Sequence, residues 1–137
     1  MSPETMAVLH ARCFVTPRPW TASDFSDLLA TRGVFVAGDA QGFVMGRVIL
    51  DEAELLTLAV SPDLRRQGRG AALVADFVND SVRRGAVSAF LEVAADNAAA
   101  RALYAATGWV RTGCRPRYYR APDGVRVDAV VMSRPLA

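Results

Sequence analysis

Residues 54–71, ELLTLAVSPDLRRQGRGA, change character at their midpoint, and that change decides the fold. The first seven, Glu54 to Val60, show little polar/apolar alternation, the pattern of a strand covered on both faces. A polar loop follows, and a helix is expected from about Gly68 to Arg84. Leu73, Val74, Phe77, Val78 and Val82 turn inward at helical spacing, and Gly85 caps its end. A buried strand feeding a helix through a glycine-containing loop predicts a mixed α/β architecture.

Upstream, Pro3 to about Cys13 reads as a short helix with Met6, Leu9 and Cys13 on one face, stopped by Pro17 and Pro19. Thr21 is the expected N-cap of a second helix bearing Phe25, Leu28 and Leu29, with Asp24 three residues on and Gly33 as its end. Val34 to Ala37 and Gly42 to Leu50 read as strands about a Gly38-Asp39 turn. Downstream, Ala86 to Val93 is a strand, and Asp96 or Asn97 caps a helix ending at Gly108. Trp109 to Arg120 and Val125 to Met132 form a hairpin about Pro122-Asp123-Gly124. The order α-α-β-β-β-α-β-α-β-β describes an α/β (α+β) domain: a mixed, mostly antiparallel sheet flanked by helices, with one helical crossover in its middle. No repeat, low-complexity tract or linker divides the chain, so residues 1–137 are expected to form a single domain.

Composition narrows the function classes. Hydrophobic residues make up 52% and charged residues 22%, a globular balance. No apolar run reaches the roughly 18 residues of a membrane span, and the N-terminal segment lacks the basic start and apolar stretch of a signal peptide; a cytoplasmic protein with no membrane partner is expected. All 16 basic residues are arginine, yet the net charge is only +2, too small to argue for nucleic-acid binding. Cys13 and Cys114 have no metal spacing, and with His10 as the sole histidine no metal site is expected. His10 reads as a helix-surface residue; nothing resembling G-x-S-x-G supports a Ser-His-Asp triad.

The loop Arg65-Arg66-Gln67-Gly68-Arg69-Gly70-Ala71 carries the sharpest local signal. A helix start offers unpaired N–H groups and a positive dipole end, glycines at 68 and 70 remove side chains that would block an anion, and arginines add charge. A P-loop is excluded because it needs Gly-Lys-Ser/Thr and the chain has no lysine. A dinucleotide fingerprint wants glycine where Leu73 stands. The R/Q-x-x-G-x-G/A loop that holds the pyrophosphate of coenzyme A is matched by Arg65, Gly68 and Gly70. The bland alternative is that the glycines only loosen a helix start.

Two further residues invite a chemical reading. Glu92 interrupts the apolar strand AVSAFLEVA, sharing a face with Phe90 while Leu91 and Val93 take the other. Partial burial would raise its pKa and suit a general base; a glutamate pointing to solvent from an open sheet face is the competing reading. Tyr104 shares a helix face with Ala100, Leu103 and Thr107. It reads as a core tyrosine or as a phenol able to protonate a departing thiolate. Asn97 is most simply an N-cap whose side chain could also meet a cofactor.

The segments LAVSPDLRRQGRGAAL (58–73) and FLEVAADNAAARALYAATGW (90–109) closely resemble the GNAT acetyltransferase superfamily, and more narrowly its bacterial ribosomal-protein-alanine N-acetyltransferase (RimI-type) branch. Pro19-Trp20, Asp51-Glu52-Ala53, Arg117-Tyr118-Tyr119, Asp123-Gly124 and Asp128-Ala129 extend the resemblance from Trp20 to Pro135. It implies the GNAT fold and acetyl-CoA as cosubstrate. It implies transfer to a protein N-terminus, the N-terminal alanine of a small-subunit ribosomal protein. Leu58, Ala59 and Val60 would meet the pantetheine arm and thioester, with a bulge there aiming an N–H at the thioester carbonyl. Arg65 with Arg66, Gln67, Gly68, Arg69, Gly70 and Ala71 would cradle the pyrophosphate, and Asn97 would touch the cofactor. Glu92 would take the proton of the incoming ammonium through water, Tyr104 would protonate the leaving thiolate, and Tyr118 and Tyr119 would shape the acceptor groove. Such proteins usually carry a strand before the first helix. This chain begins almost at that helix, so a sheet without that first edge strand is expected. Transfer to a small-molecule amine or a lysine side chain, and a non-catalytic acyl-CoA-binding module, are the alternatives.

Overall fold

The computed structural model describes residues 1–65 and 67–136. Two helices lead, α1 (Pro3–Cys13) and α2 (Ala22–Leu29), followed by β1 (Val34–Asp39), β2 (Gly42–Ile49) and β3 (Glu52–Val60). A 3-10 turn at Pro62–Leu64 precedes α3 (Arg69–Arg83); then come β4 (Ser88–Ala94), α4 (Ala98–Ala106), β5 (Val110–Arg120) and β6 (Arg126–Pro135). The six strands form one open sheet in the order β1-β2-β3-β4-β6-β5. Only β3 and β4 run parallel, joined by α3; every other neighbouring pair is antiparallel. Among the described residues no strand precedes α1, and β1 forms one end of the sheet. None of the described helices is long and apolar enough to cross a membrane.

Local chemistry sets the boundaries. Ser2 caps α1 by accepting from the Thr5 N–H at 3.1 Å. Thr21 and Asp24 form the reciprocal box that starts α2, each side chain taking the other's backbone N–H. Asn97, rather than Asp96, caps α4 by accepting from the Ala100 N–H at 3.1 Å. Strand β1 runs on through Asp39, past the expected turn. The turn falls two residues later, at Ala40-Gln41, where Asp39 Oδ1 accepts from the Gln41 and Gly42 N–H groups.

The sheet is covered on both sides, as the apolar run in β3 predicts. On one face Leu73, Val74 and Phe77 of α3 pack with Leu55, Leu91, Val93, Tyr104 and Trp109. Phe77 is fully buried, stacked on Phe35 at 5.9 Å and tilted against Trp109 at 6.0 Å; burying a side chain of this size stabilises by roughly 1.5–3 kcal/mol. Val82, expected to face inward, is exposed; in the last turn of α3 the buried position is taken by Ser81 instead. On the other face Met6, Leu9 and Phe25 from α1 and α2 enclose Phe43, Met45 and Ala59.

His10 departs most from expectation. It lies in that second layer and is 1% exposed, not on the helix surface. Met6 and His10 are four residues apart and so share the inward face of α1. The ring stacks on Phe14 at 4.2 Å and on Trp20 at 5.1 Å. Both cysteines are free thiols, Cys13 half-buried and Cys114 exposed.

Candidate active site

Strands β3 and β4 pair only at their starts, Glu52 with Ser88 through Glu54 with Phe90. β4 then follows β6 along its whole length, Ser88 to Ala94, while β3 follows β2. The two strands therefore part, and a wedge opens between Leu55–Val60 and Leu91–Ala94. The wedge is the heart of a cleft of about 800 Å³. Crossover strands that diverge leave backbone groups without a ladder partner, so their edges are available to a ligand.

A bulge adjusts β3 where the wedge begins. Met45 pairs with Thr57, but the next residue, Gly46, pairs with Leu55, so Leu56 is the extra residue. This corrects the expected bulge at Leu58 to Val60, which pair one-to-one with Val44, Phe43 and Gly42. The extra residue turns the strand: Leu55 faces the α3 layer, Leu56 and Thr57 both face the α1 layer, and Leu58 returns to the α3 side. Leu58, Ala59 and Val60 line the cleft.

At one end of the cleft lies the start of α3. Gly68 precedes it in the left-handed region, φ +75°, and among the described residues nothing lies within 4 Å of where a Cβ would stand. Among the described residues no side chain caps the helix, so its first N–H groups are left to a ligand. Arg65, Gly68, Arg69, Gly70 and Ala71 line the cleft, Gln67 is exposed in the same loop, and Arg66 lies outside the described residues. Arg69 also pairs with Asp39 at 3.4 Å. Gly70 also has a packing reason: a Cβ there would meet Leu103 Cδ2 at 3.0 Å, so glycine admits α4 beside α3. An open glycine before an uncapped 15-residue helix, with two arginines beside it, fits a pyrophosphate by charge and by space.

The other end is where ionisable side chains gather. Glu92 projects away from the α3 layer into the cleft, its side chain 17% exposed, and accepts from Arg115 Nε at 3.0 Å. Tyr104 sits on α4 with its ring in the core, edge-on to Trp109 at 5.9 Å, and also lines the cleft. Burial first, and Tyr119 second, hold its phenol well above the ordinary tyrosine range. Tyr119 is half-buried, and burial, then the charge of Glu92, push it up to about 12. Tyr118 packs edge-on to Tyr119 at 5.1 Å, and both line the cleft. Strand β5 reaches this position through an irregularity: Arg115 pairs with Ala129 but Tyr119 with Val127. Within the stretch Arg117 has φ +55°, and its N–H is held by Asp128 Oδ1 at 2.8 Å. Asn97 lines the cleft, its Oδ1 spent on the cap and its amide NH₂ without a partner among the described residues.

The structure thus gathers every described candidate except Gln67 around one cleft. Sequence reasoning missed Arg115, Glu54, Thr57 and His10. Glu54 lines the cleft while paired with Arg47 at 2.8 Å. Thr57 was legible as the one hydroxyl in ELLTLAV. Arg115 was not, since its meeting with Glu92 spans 23 residues and depends on β6 lying between the two strands.

Comparison with known proteins agrees with this geometry. The acetyltransferase (GNAT) family model matches residues 4–109. The chain is 37% identical over 123 residues to the [ribosomal protein bS18]-alanine N-acetyltransferase of Escherichia coli, covering 87% of this chain and 82% of that protein. It is 36% identical to the N-alpha-acetyltransferase RimI of Mycobacterium tuberculosis, covering 93% of this chain and 83% of that one. The crystal structure of the ribosomal-protein-S18-alanine N-acetyltransferase from Escherichia coli superposes with a TM-score of 0.86 at 32% identity, over 98% of this chain and 88% of that one. The chain therefore belongs to the acetyltransferase (GNAT) family and is an acetyl-CoA-dependent N-acetyltransferase.

Proposed function

We propose that residues 1–137 act as one domain that acetylates a protein N-terminus, and that the acceptor is the N-terminal alanine of ribosomal protein bS18, the substrate named for the Escherichia coli relative. A ribosomal acceptor sets the reaction in the cytoplasm. The observation that carries the reading is the convergence of Glu92 and Tyr104, from a strand and a helix, on the wedge where β3 and β4 part. Acetyl-CoA supplies the activated acetyl thioester. The N–H groups at Arg69 to Ala71 hold its pyrophosphate with Arg65, Arg66 and Arg69 as countercharge, and Gln67 borders the loop. The exposed edge of Leu58, Ala59 and Val60 receives the pantetheine arm, and the Asn97 amide donates to it.

Glu92 takes a proton from the acceptor ammonium through one water, freeing the amine to attack. Arg115 holds that carboxylate in the cleft until then, and being 57% exposed it can swing aside. Tyr104 donates to the departing thiolate; its raised pKa keeps it protonated throughout the neutral range. Tyr118 and Tyr119 wall the acceptor groove. The test is acetyl transfer to a peptide bearing the bS18 N-terminal residues, against an N-terminally blocked peptide with a free lysine. Transfer to the free N-terminus alone is expected. Transfer only to the lysine or to small amines overturns the acceptor class, and acetyl-CoA binding with no transfer overturns the catalytic reading.

A further inference from the structure

The buried contact of His10 with Thr57 is not used by the mechanism above. His10 Nδ1 accepts from the Trp20 backbone N–H at 3.1 Å, and its Nε2 lies 2.9 Å from Thr57 Oγ1. Trp20 N–H can only donate, so Nδ1 is unprotonated. A neutral imidazole then carries its one proton on Nε2. Nε2–H therefore donates to Thr57 Oγ1, and the Thr57 hydroxyl proton has no acceptor among the described residues. Thr57 is 6% exposed and is one of the residues that line the cleft. The bulge at Leu56 is what turns this hydroxyl toward His10; in unbroken alternation Thr57 would face the apolar α3 layer with Leu55.

We infer that His10 is a positioning residue that clamps the Thr57 oxygen so that the Thr57 O–H is presented into the cleft as a hydrogen-bond donor to a carbonyl oxygen of the reacting pair. Thr57 lies along β3 between Glu54, at the acceptor end, and Leu58, where the pantetheine arm is expected. The carbonyl is that of the acetyl thioester or the first one of the acceptor peptide. A hydroxyl whose oxygen is already committed cannot turn to accept, so the donor is pre-oriented and loses little freedom when the ligand arrives. The inference rests on the proposed reading of the cleft.

The first test is independent of turnover. With one histidine in the chain, ¹⁵N NMR reads its tautomer directly at neutral pH. Nε2–H with a bare Nδ1 is expected, and the reverse tautomer overturns the clamp. The second test is Thr57→Val, which removes the hydroxyl and little else. A fall of roughly 10- to 100-fold in kcat/KM is expected with acetyl-CoA affinity unchanged, and Thr57→Ser should keep most of the activity. A fall in kcat assigns the donor to the thioester carbonyl, and a rise in acceptor KM assigns it to the peptide carbonyl. His10→Gln should lower activity in the wild-type background yet by less than about 2-fold in the Thr57→Val background; fully multiplicative losses overturn the positioning role. Wild-type rates in Thr57→Val, alongside inactive Glu92→Gln and Tyr104→Phe, defeat this inference and leave the proposed mechanism standing. Active Glu92→Gln defeats the mechanism instead.

Discussion

Acidifying the protein from pH 7.5 to pH 4 loads one buried imidazole whose surroundings have no place for the extra proton. His10 packs against Phe14, Trp20, Phe25 and the Thr57 hydroxyl, none of them charged at these pH values. Protonated Nδ1 would point a second N–H at the Trp20 N–H it now accepts from. Burial accordingly lowers the His10 pKa from 6.5 to about 4. The unfolded chain takes up the proton first, so this stability is fully present above about pH 6.5 and is lost as pH falls toward 4. At 1.36 kcal/mol per unit the loss is about 2 kcal/mol by pH 5 and about 3 kcal/mol by pH 4. For a chain of this length that lowers Tm by roughly 4–8 °C at pH 5. Asp24, held below its ordinary 3.8 chiefly by the Thr21 N–H, adds its own loss only beneath this window. Urea titrations at half-unit pH steps read the slope directly, and in His10→Gln the slope between pH 6.5 and pH 5 should flatten. Wild-type stability that stays level across that interval, or an unaltered slope in the variant, refutes the argument.

Glu92→Gln is expected to cut turnover by roughly 10²–10⁴-fold with acetyl-CoA affinity retained, checked by steady-state kinetics and calorimetry; equal rates remove it as the base. Tyr104→Phe should lower kcat by a similar or smaller factor while changing Tm little, since the ring keeps its place against Trp109; an unchanged rate leaves the residue a packing role alone. Gly68→Leu should weaken acetyl-CoA binding, since the described residues leave the space around Gly68 open for the ligand; its left-handed backbone adds a folding cost of roughly 1–2 kcal/mol. Phe77→Ala should destabilise by roughly 3–5 kcal/mol in denaturant titrations by removing the ring packed between Phe35 and Trp109.

The order of elements, the Thr21 and Asn97 caps, the two-sided burial of β3 and the glycine loop were all legible in the chain, because each rests on neighbours a few residues apart. Period, capping chemistry and turn composition are local, and local preferences agree here with the final fold. The approach of Glu92 and Tyr104 to one cleft was legible only through resemblance; no spacing rule brings a strand residue and a helix residue to the same wedge. Tertiary structure alone decided the rest. His10 is buried because α1 lays the face it shares with Met6 onto the sheet. Arg115 reaches Glu92 because β6 inserts between their strands. The bulge sits at Leu56 because the register of β3 answers to β2, a partner that the sequence of β3 does not contain. Each of these depends on where distant segments meet, and a periodic pattern names the face a residue takes without naming what that face will touch.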